Sequence, residues 1–197
     1  TTEIYTLSLH DALPICIHGR GGQGVVSAAE MLSIAAFEQG KHAQAVPSFG
    51  SERMGAPVVA YVRIDSNPIE LREPVLDPNL LIVQDPTLFN AIDVFGGLRD
   101  DGWVLINTSK NLEDLHIGEA TNRLPAGHVI AVPATELAMK HLGRPTPNTV
   151  LLGALAAMSS EIQIDAVCNA IMRKFPGKVG EANVVAARAA HQQATAA

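Results

Sequence analysis

Apolar residues fall into two kinds of run along the 197-residue chain. Short β-favouring stretches at 15–18, 42–47, 58–64, 80–83, 103–106 and 129–132 read as strands, several ended by Gly, Pro or Asn. Longer segments predict helices at 23–39, 86–95, 135–141, 149–159, 162–175 and 180–194. Gly40 stops the first of these, and Pro86 suits the first turn of the second. Strands alternating with helices argue for a mostly parallel sheet covered on both faces. After Pro147 the chain turns helical throughout, with Asn148 placed to cap 149–159. In that helix Leu151, Leu152, Leu155 and Met158 recur at helical spacing, and Gly153, Ala154, Ala156 and Ala157 are small enough for close packing. It reads as a core helix, not a cofactor box. No linker or repeat divides the chain, so 15–197 is expected to be a single domain.

Residues 1–14 do not follow this pattern. They have no basic n-region for a targeting signal, and they resemble translated sequencing-adapter sequence. They are read as a non-native or disordered leader, the alternative being a first strand at 4–9.

One stretch organises the rest. A β run at 15–17 ends at His18, and four glycines follow within six residues in Gly19-Arg20-Gly21-Gly22-Gln23-Gly24. An alanine-rich helix comes next. Gly19, Gly21 and Gly24 satisfy G-x-G-x-x-G, the opening of a Rossmann-like βαβ unit. Glycine there allows a tight turn and a close approach to the backbone. The first helical N–H groups lack intrahelical partners and would face an anion. Against a plain NAD site, no acidic residue ends the strand at 42–47, where a ribose would be held. A turn that is only structural stays open on spacing alone.

Composition narrows the field. Net charge is −6, aromatics are 4%, and no basic run occurs, so nucleic acid is excluded as a partner. Cys16 and Cys168 stand far apart without C-x-x-C, and the histidines show no metal spacing, so no metal or iron–sulfur site is expected. Two thiols and no apolar run of membrane-spanning length fit a cytoplasmic protein away from the membrane. With 47% hydrophobic and only 17% charged residues, apolar surface is expected to be hidden against another chain.

In a parallel sheet the carboxyl ends of the strands line the crevice. Here they would carry residues 19–24, 48–55, Asp85 and 107–109. The set is polar, but it holds no convincing nucleophile, base or metal group, so no catalytic residue is assigned. Asp85 reads as a helix cap, and His18 as a turn histidine. The loop after the second strand, with Phe49, Glu52, Arg53 and Met54, is too glycine-rich for core and reads equally as a surface turn or as a contact with another chain.

Residues 19–24 together with Pro47-Ser48-Phe49-Gly50-Ser51-Glu52-Arg53-Met54-Gly55-Ala56-Pro57 resemble the gamma subunit of 2-oxoacid:ferredoxin oxidoreductases of the pyruvate/ketoisovalerate type. Asp85-Pro86-Thr87-Leu88, Pro147-Asn148-Thr149 and Asn183 fit as well, and the likeness spans about 15–191. It implies a chain inactive alone, within a complex that oxidatively decarboxylates a 2-oxoacid, pyruvate foremost, with coenzyme A and ferredoxin. Alpha, beta and delta subunits would be its partners. Thiamine diphosphate, magnesium and the iron–sulfur clusters would belong to them, with none bound by this chain. Residues 19–24 would be the cofactor-facing set, and Phe49, Glu52, Arg53 and Met54 the interface. Phenylglyoxylate and indolepyruvate enzymes, or a dinucleotide-binding module without catalytic role, are the alternatives.

Overall fold

The computed structural model describes residues 13–48, 54–70 and 73–195. Six strands form one sheet: β1 (Leu13–Arg20), β2 (His42–Ser48), β3 (Pro57–Asp65), β4 (Leu80–Val83), β5 (Trp103–Asn107) and β6 (Val129–Val132), in the order β2-β3-β1-β4-β5-β6. β1, β4, β5 and β6 pair in parallel, while β3 runs antiparallel to both β1 and β2. Five of the six strands therefore point one way.

The helices are α1 (Val25–Glu38), the single-turn α2 (Gly118–Thr121), α3 (Ala134–Leu142), α4 (Asn148–Met158), α5 (Ile164–Lys174) and α6 (Lys178–Thr195). They cover the two faces unequally. One face packs on α1 and α3 to α6, because alternate strand positions such as Ile15, Ile17, Ile82 and Leu105 point there and meet Met31, Leu32, Val150 and Ile171. The other face, with Cys16, Leu81, Val83 and Ile106, is sealed by Leu88, Val94, Leu98, Ile117 and Leu124 from the short turns that connect the strands. On α1 the buried residues Val25, Ala28, Ala29, Met31, Leu32, Ala35 and Ala36 make one apolar stripe. α4 is buried almost all round, as a core helix should be.

The structure departs from the expectations at four places. β1 begins at Leu13, whose side chain is buried and which stands opposite Ile64, so the strand starts two residues before the expected boundary at 15; residues 1–12 lie outside the described set. β2 is not the neighbour of β1, since β3 is inserted between them. The end of β2 therefore lies two strand spacings, about 10 Å, from the glycine turn. A ribose acid was never to be sought there. The helix expected at 86–95 is only a 3-10 turn, Pro86–Asn90. Asn90, Asp93, Gly96 and Gly97 are poor helix formers, and Phe89 stacks on Phe95 with ring centroids 5.4 Å apart. Lastly, Asn148 does not cap α4. It is the first helical residue, and its side chain reaches across to the Gly24 carbonyl at 3.4 Å.

Candidate functional site: the glycine turn at the ends of β1 and β4

The connections leaving β1 and β4 diverge. β1 leads into α1 on the helical face, and β4 leads into the 3-10 turn on the opposite face. Neighbouring parallel strands whose connections part in this way leave a crevice at their carboxyl ends. Residues 19–24 sit at its edge.

Gly24 is the N-cap of α1, in the left-handed region at φ 76°. A side chain there would be strained, and its Cβ would lie 2.4 Å from Asn148 Nδ2. The Gly21 N–H donates to Ala56 O at 2.9 Å, and Gly55 N–H returns a bond to Gly21 O at 3.0 Å. The turn is thus stitched to the far end of the 48–57 loop. The N–H groups of Gly22 and of the first α1 turn have no acceptor among the described residues. They border a cleft of about 510 Å³ lined by Arg20, Gly21, Gly22, Gly24, Val25, Val26, Ser27, Ser48, Met54 and Val58. Met54 is 91% exposed at its rim.

Arg20 and Gln23, expected to face a cofactor, are engaged inside the protein. The Arg20 guanidinium donates to Thr87 Oγ1 at 2.9 and 3.2 Å and to Gly55 O at 3.0 Å, and pairs with Asp85 Oδ2 at 3.2 Å. Gln23 accepts from the Arg20 N–H at 2.7 Å and donates to Asp85 Oδ2 at 2.9 Å. Asp85 is the expected cap: Oδ1 accepts from Thr87 N–H at 3.0 Å and from its hydroxyl at 2.6 Å. Burial works to raise the Asp85 pKa, but the bonds from Thr87 and Gln23, with the Arg20 charge, outweigh it and hold the carboxyl below its usual range.

His18 does not sit on the turn. It is a buried β1 residue with an unpartnered Nδ1. Desolvation lowers its pKa from 6.5 to about 4, against the opposing charge of Asp93. It is neutral at pH 7 and brings no positive charge to an anion. The depressed folded pKa means that the unfolded chain binds the extra proton between pH 6.5 and about 4. Stability should therefore fall as pH drops through that window, by about 3 kcal/mol from this residue. Urea titrations across the window should lose that part of the slope in His18→Asn, and an unchanged slope would place the acid sensitivity elsewhere.

A second cleft of about 440 Å³ opens at the ends of β4 and β5, between Gln84, Asn107, Thr108, Ser109, Thr135 and Glu136. Asn107 Nδ2 bridges Gln84 O and Thr135 Oγ1 at 2.7 and 2.8 Å and so ties β4 to α3. Residues 107–109 were expected at this edge. Thr135 and Glu136 were not, because only the tertiary fold brings α3 there. Ser27, Val26 and Thr87 at the glycine turn were likewise missed, although Thr87 directly follows the Asp85-Pro86 signal. Of the expected interface, Met54 is exposed, and Phe49, Glu52 and Arg53 lie outside the described residues. Among the described residues no three His, Cys, Asp or Glu side chains converge as a metal site, and no helix is long and apolar enough to cross a membrane. Cys16 on β1 and Cys168 on α5 are buried free thiols, and burial pushes the Cys16 thiol up to about 12.

The strand, glycine turn and helix, backed by a C-terminal helical layer, define a mixed α/β domain of six mostly parallel strands. Residues 14–193 match the pyruvate ferredoxin/flavodoxin oxidoreductase family. The chain is 45% identical over 181 residues to pyruvate synthase subunit PorC of Methanothermobacter thermautotrophicus, covering 92% of this chain and 95% of that one. It is 43% identical to the pyruvate/ketoisovalerate oxidoreductases common subunit gamma of Pyrococcus furiosus, covering 92% and 96%. Among solved structures, pyruvate oxidoreductase subunit PORC of Thermotoga maritima superposes with a TM-score of 0.79 at 36% identity, covering 92% and 96%. The chain belongs to the pyruvate ferredoxin/flavodoxin oxidoreductase family, as a gamma-type subunit of a multi-subunit oxidoreductase.

Proposed function

We propose that this chain serves a cytoplasmic complex that converts a 2-oxoacid, pyruvate foremost, to acyl-CoA and carbon dioxide while reducing ferredoxin. The glycine turn receives a phosphate of coenzyme A. The observation that carries this is the group of N–H donors at Gly22 and the first turn of α1 that have no partner among the described residues and border the 510 Å³ cleft. The partial positive charge at a helix N-terminus favours an anion there. Alpha, beta and delta subunits supply thiamine diphosphate, magnesium and the clusters that carry out decarboxylation and electron transfer. This chain's residues bind and orient. The 45% identity to a pyruvate synthase subunit supports pyruvate as the oxoacid.

In the assembled complex, Gly24→Val should raise KM for coenzyme A at least about tenfold, since even a 1 Å misplacement of a bound group can cost about a hundredfold in rate. KM for the oxoacid should move less than about twofold, because the displaced N–H groups do not touch it. Steady-state kinetics with each substrate varied in turn checks this. Equal KM values in variant and parent would leave the turn a structural element only.

A further inference from the structure

Arg20, Gln23, Asp85 and Thr87 close a ring of hydrogen bonds that begins and ends on one residue of the glycine turn. The Arg20 N–H goes to Gln23 Oε1, and Gln23 Nε2 goes to Asp85 Oδ2. Asp85 Oδ1 holds both donors of Thr87, whose hydroxyl oxygen takes the Arg20 guanidinium. A further guanidinium bond to Gly55 O adds the loop that flanks the cleft. The ring therefore pins three separate segments: the turn after β1, the turn after β4 and the end of the 48–57 loop. The Arg20 and Asp85 side chains are 27% and 15% exposed, and the two Gln23 bonds are partly buried while those to Thr87 face solvent, so the ring holds by closing on itself through several partners more than by exclusion of water. A guanidinium has five donors in a fixed plane. Here Nε, Nη1 and Nη2 all have partners on the protein.

We infer that Arg20 and Asp85 are positioning residues: they set the pose of the 21–27 backbone donors for the anion, and the arginine is not itself the anion's counter-charge. This rests on the coenzyme A reading above and specifies how that site is held. It follows that Asp85 must stay paired. A free carboxylate so near the cleft would repel the phosphate, and Arg20 neutralises it.

The two possible roles of Arg20 predict opposite signs for one substitution. Asp85→Asn keeps the side-chain shape and the Thr87 cap acceptor, but it sets an amide N–H against the donors of Gln23 and Arg20. If Arg20 were the anion ligand, restrained by Asp85, Asp85→Asn would free it and lower KM for coenzyme A. If the ring positions the turn, KM rises. We expect a rise of at least about tenfold in Asp85→Asn and in Arg20→Lys, with the oxoacid KM within about twofold, and a double variant no worse than the worse single, because members of one unit are not additive. Hydrogen exchange of the backbone amides of residues 21–27 in the same complexes should be faster in both variants. A lowered KM in Asp85→Asn, or single effects that multiply in the double variant, would overturn the inference. Gly22→Ala separates the two claims: it touches none of the ring's side chains, but at φ +96° it strains the turn and displaces the Gly22 donor directly. If it raises KM for coenzyme A and Asp85→Asn does not, positioning fails while the coenzyme A reading stands. If KM for coenzyme A moves in none of the variants, the coenzyme A reading fails. Exchange then decides positioning alone: faster exchange in Asp85→Asn supports it, and unchanged exchange overturns it.

Discussion

Gly153→Val should destabilise the chain by about 3 kcal/mol or more, at the top of the usual range for overpacking a core. On propensity alone the sign would be the reverse, because replacing a mid-helix glycine by alanine gains up to about 1 kcal/mol. Geometry decides against propensity. α4 and α6 meet backbone to backbone at this point, and a Cβ on Gly153 would stand 2.0 Å from Ala187 O and 2.7 Å from Ala187 Cα. Those are main-chain atoms in the middle of α6, so no side-chain rotation relieves the clash. α6 must move away as a body, and the Thr149–Asn183 hydrogen bond of 2.8 Å between the same helices is put at risk with it. For a chain of this size the loss corresponds to a fall in Tm of about 6–12 °C. Gly153→Ala should be destabilising too, though less so. Gly118→Ala is the control. It is also helical, but its nearest neighbour would lie at 3.7 Å, so it should be neutral or mildly stabilising. Thermal melts of the three variants check the assignment, and a stable Gly153→Val protein would show that α4 and α6 do not pack as described.

Expressed by itself, this chain should show no oxoacid-dependent reduction of a low-potential dye, and expressed with the other subunits it should show full activity. The described crevice contains backbone donors, amides, hydroxyls and paired charges. Asp85 is held by Arg20, Thr87 and Gln23, and His18 is buried and neutral. Neither is poised to move a proton at a substrate. The family membership makes the chain one subunit of a larger oxidoreductase. Exposed Met54, in the 48–57 loop at the rim of the cleft, is an apolar residue of the kind enriched at interfaces. Met54→Asp should therefore lower the yield of assembled complex in co-purification before it changes kcat of what assembles. Turnover of an oxoacid by the isolated chain would overturn this, and so would full activity of the partners without it.

Local pattern carried a good part of this. Every strand was legible within about two residues, because each is a compact apolar or alternating run ended by a residue that breaks pairing. The glycine turn was legible because a left-handed cap and close helix contact admit little but glycine, and the Asp85 cap because Asp-Pro-Thr supplies both the acceptor and the fixed φ of a first turn. The paired motifs at 19–24 and 47–57 pointed to the family because two unusual glycine-containing stretches occurring together are far more specific than either alone.

Tertiary structure decided what depends on contacts between distant residues. Nothing local says that β3 inserts between β1 and β2, since an antiparallel hairpin and a parallel crossover use similar apolar strands. The role of Arg20 was likewise not local. Next to three glycines an arginine reads as an anion ligand, and only the approach of Asp85 and Thr87, 65 and 67 positions on in the chain, gives its guanidinium partners on the protein. His18 lost its charge to burial, a property of the packed core and not of its neighbours in sequence. The composition of each segment determined which elements form. Long-range packing determined which polar groups remain free to act.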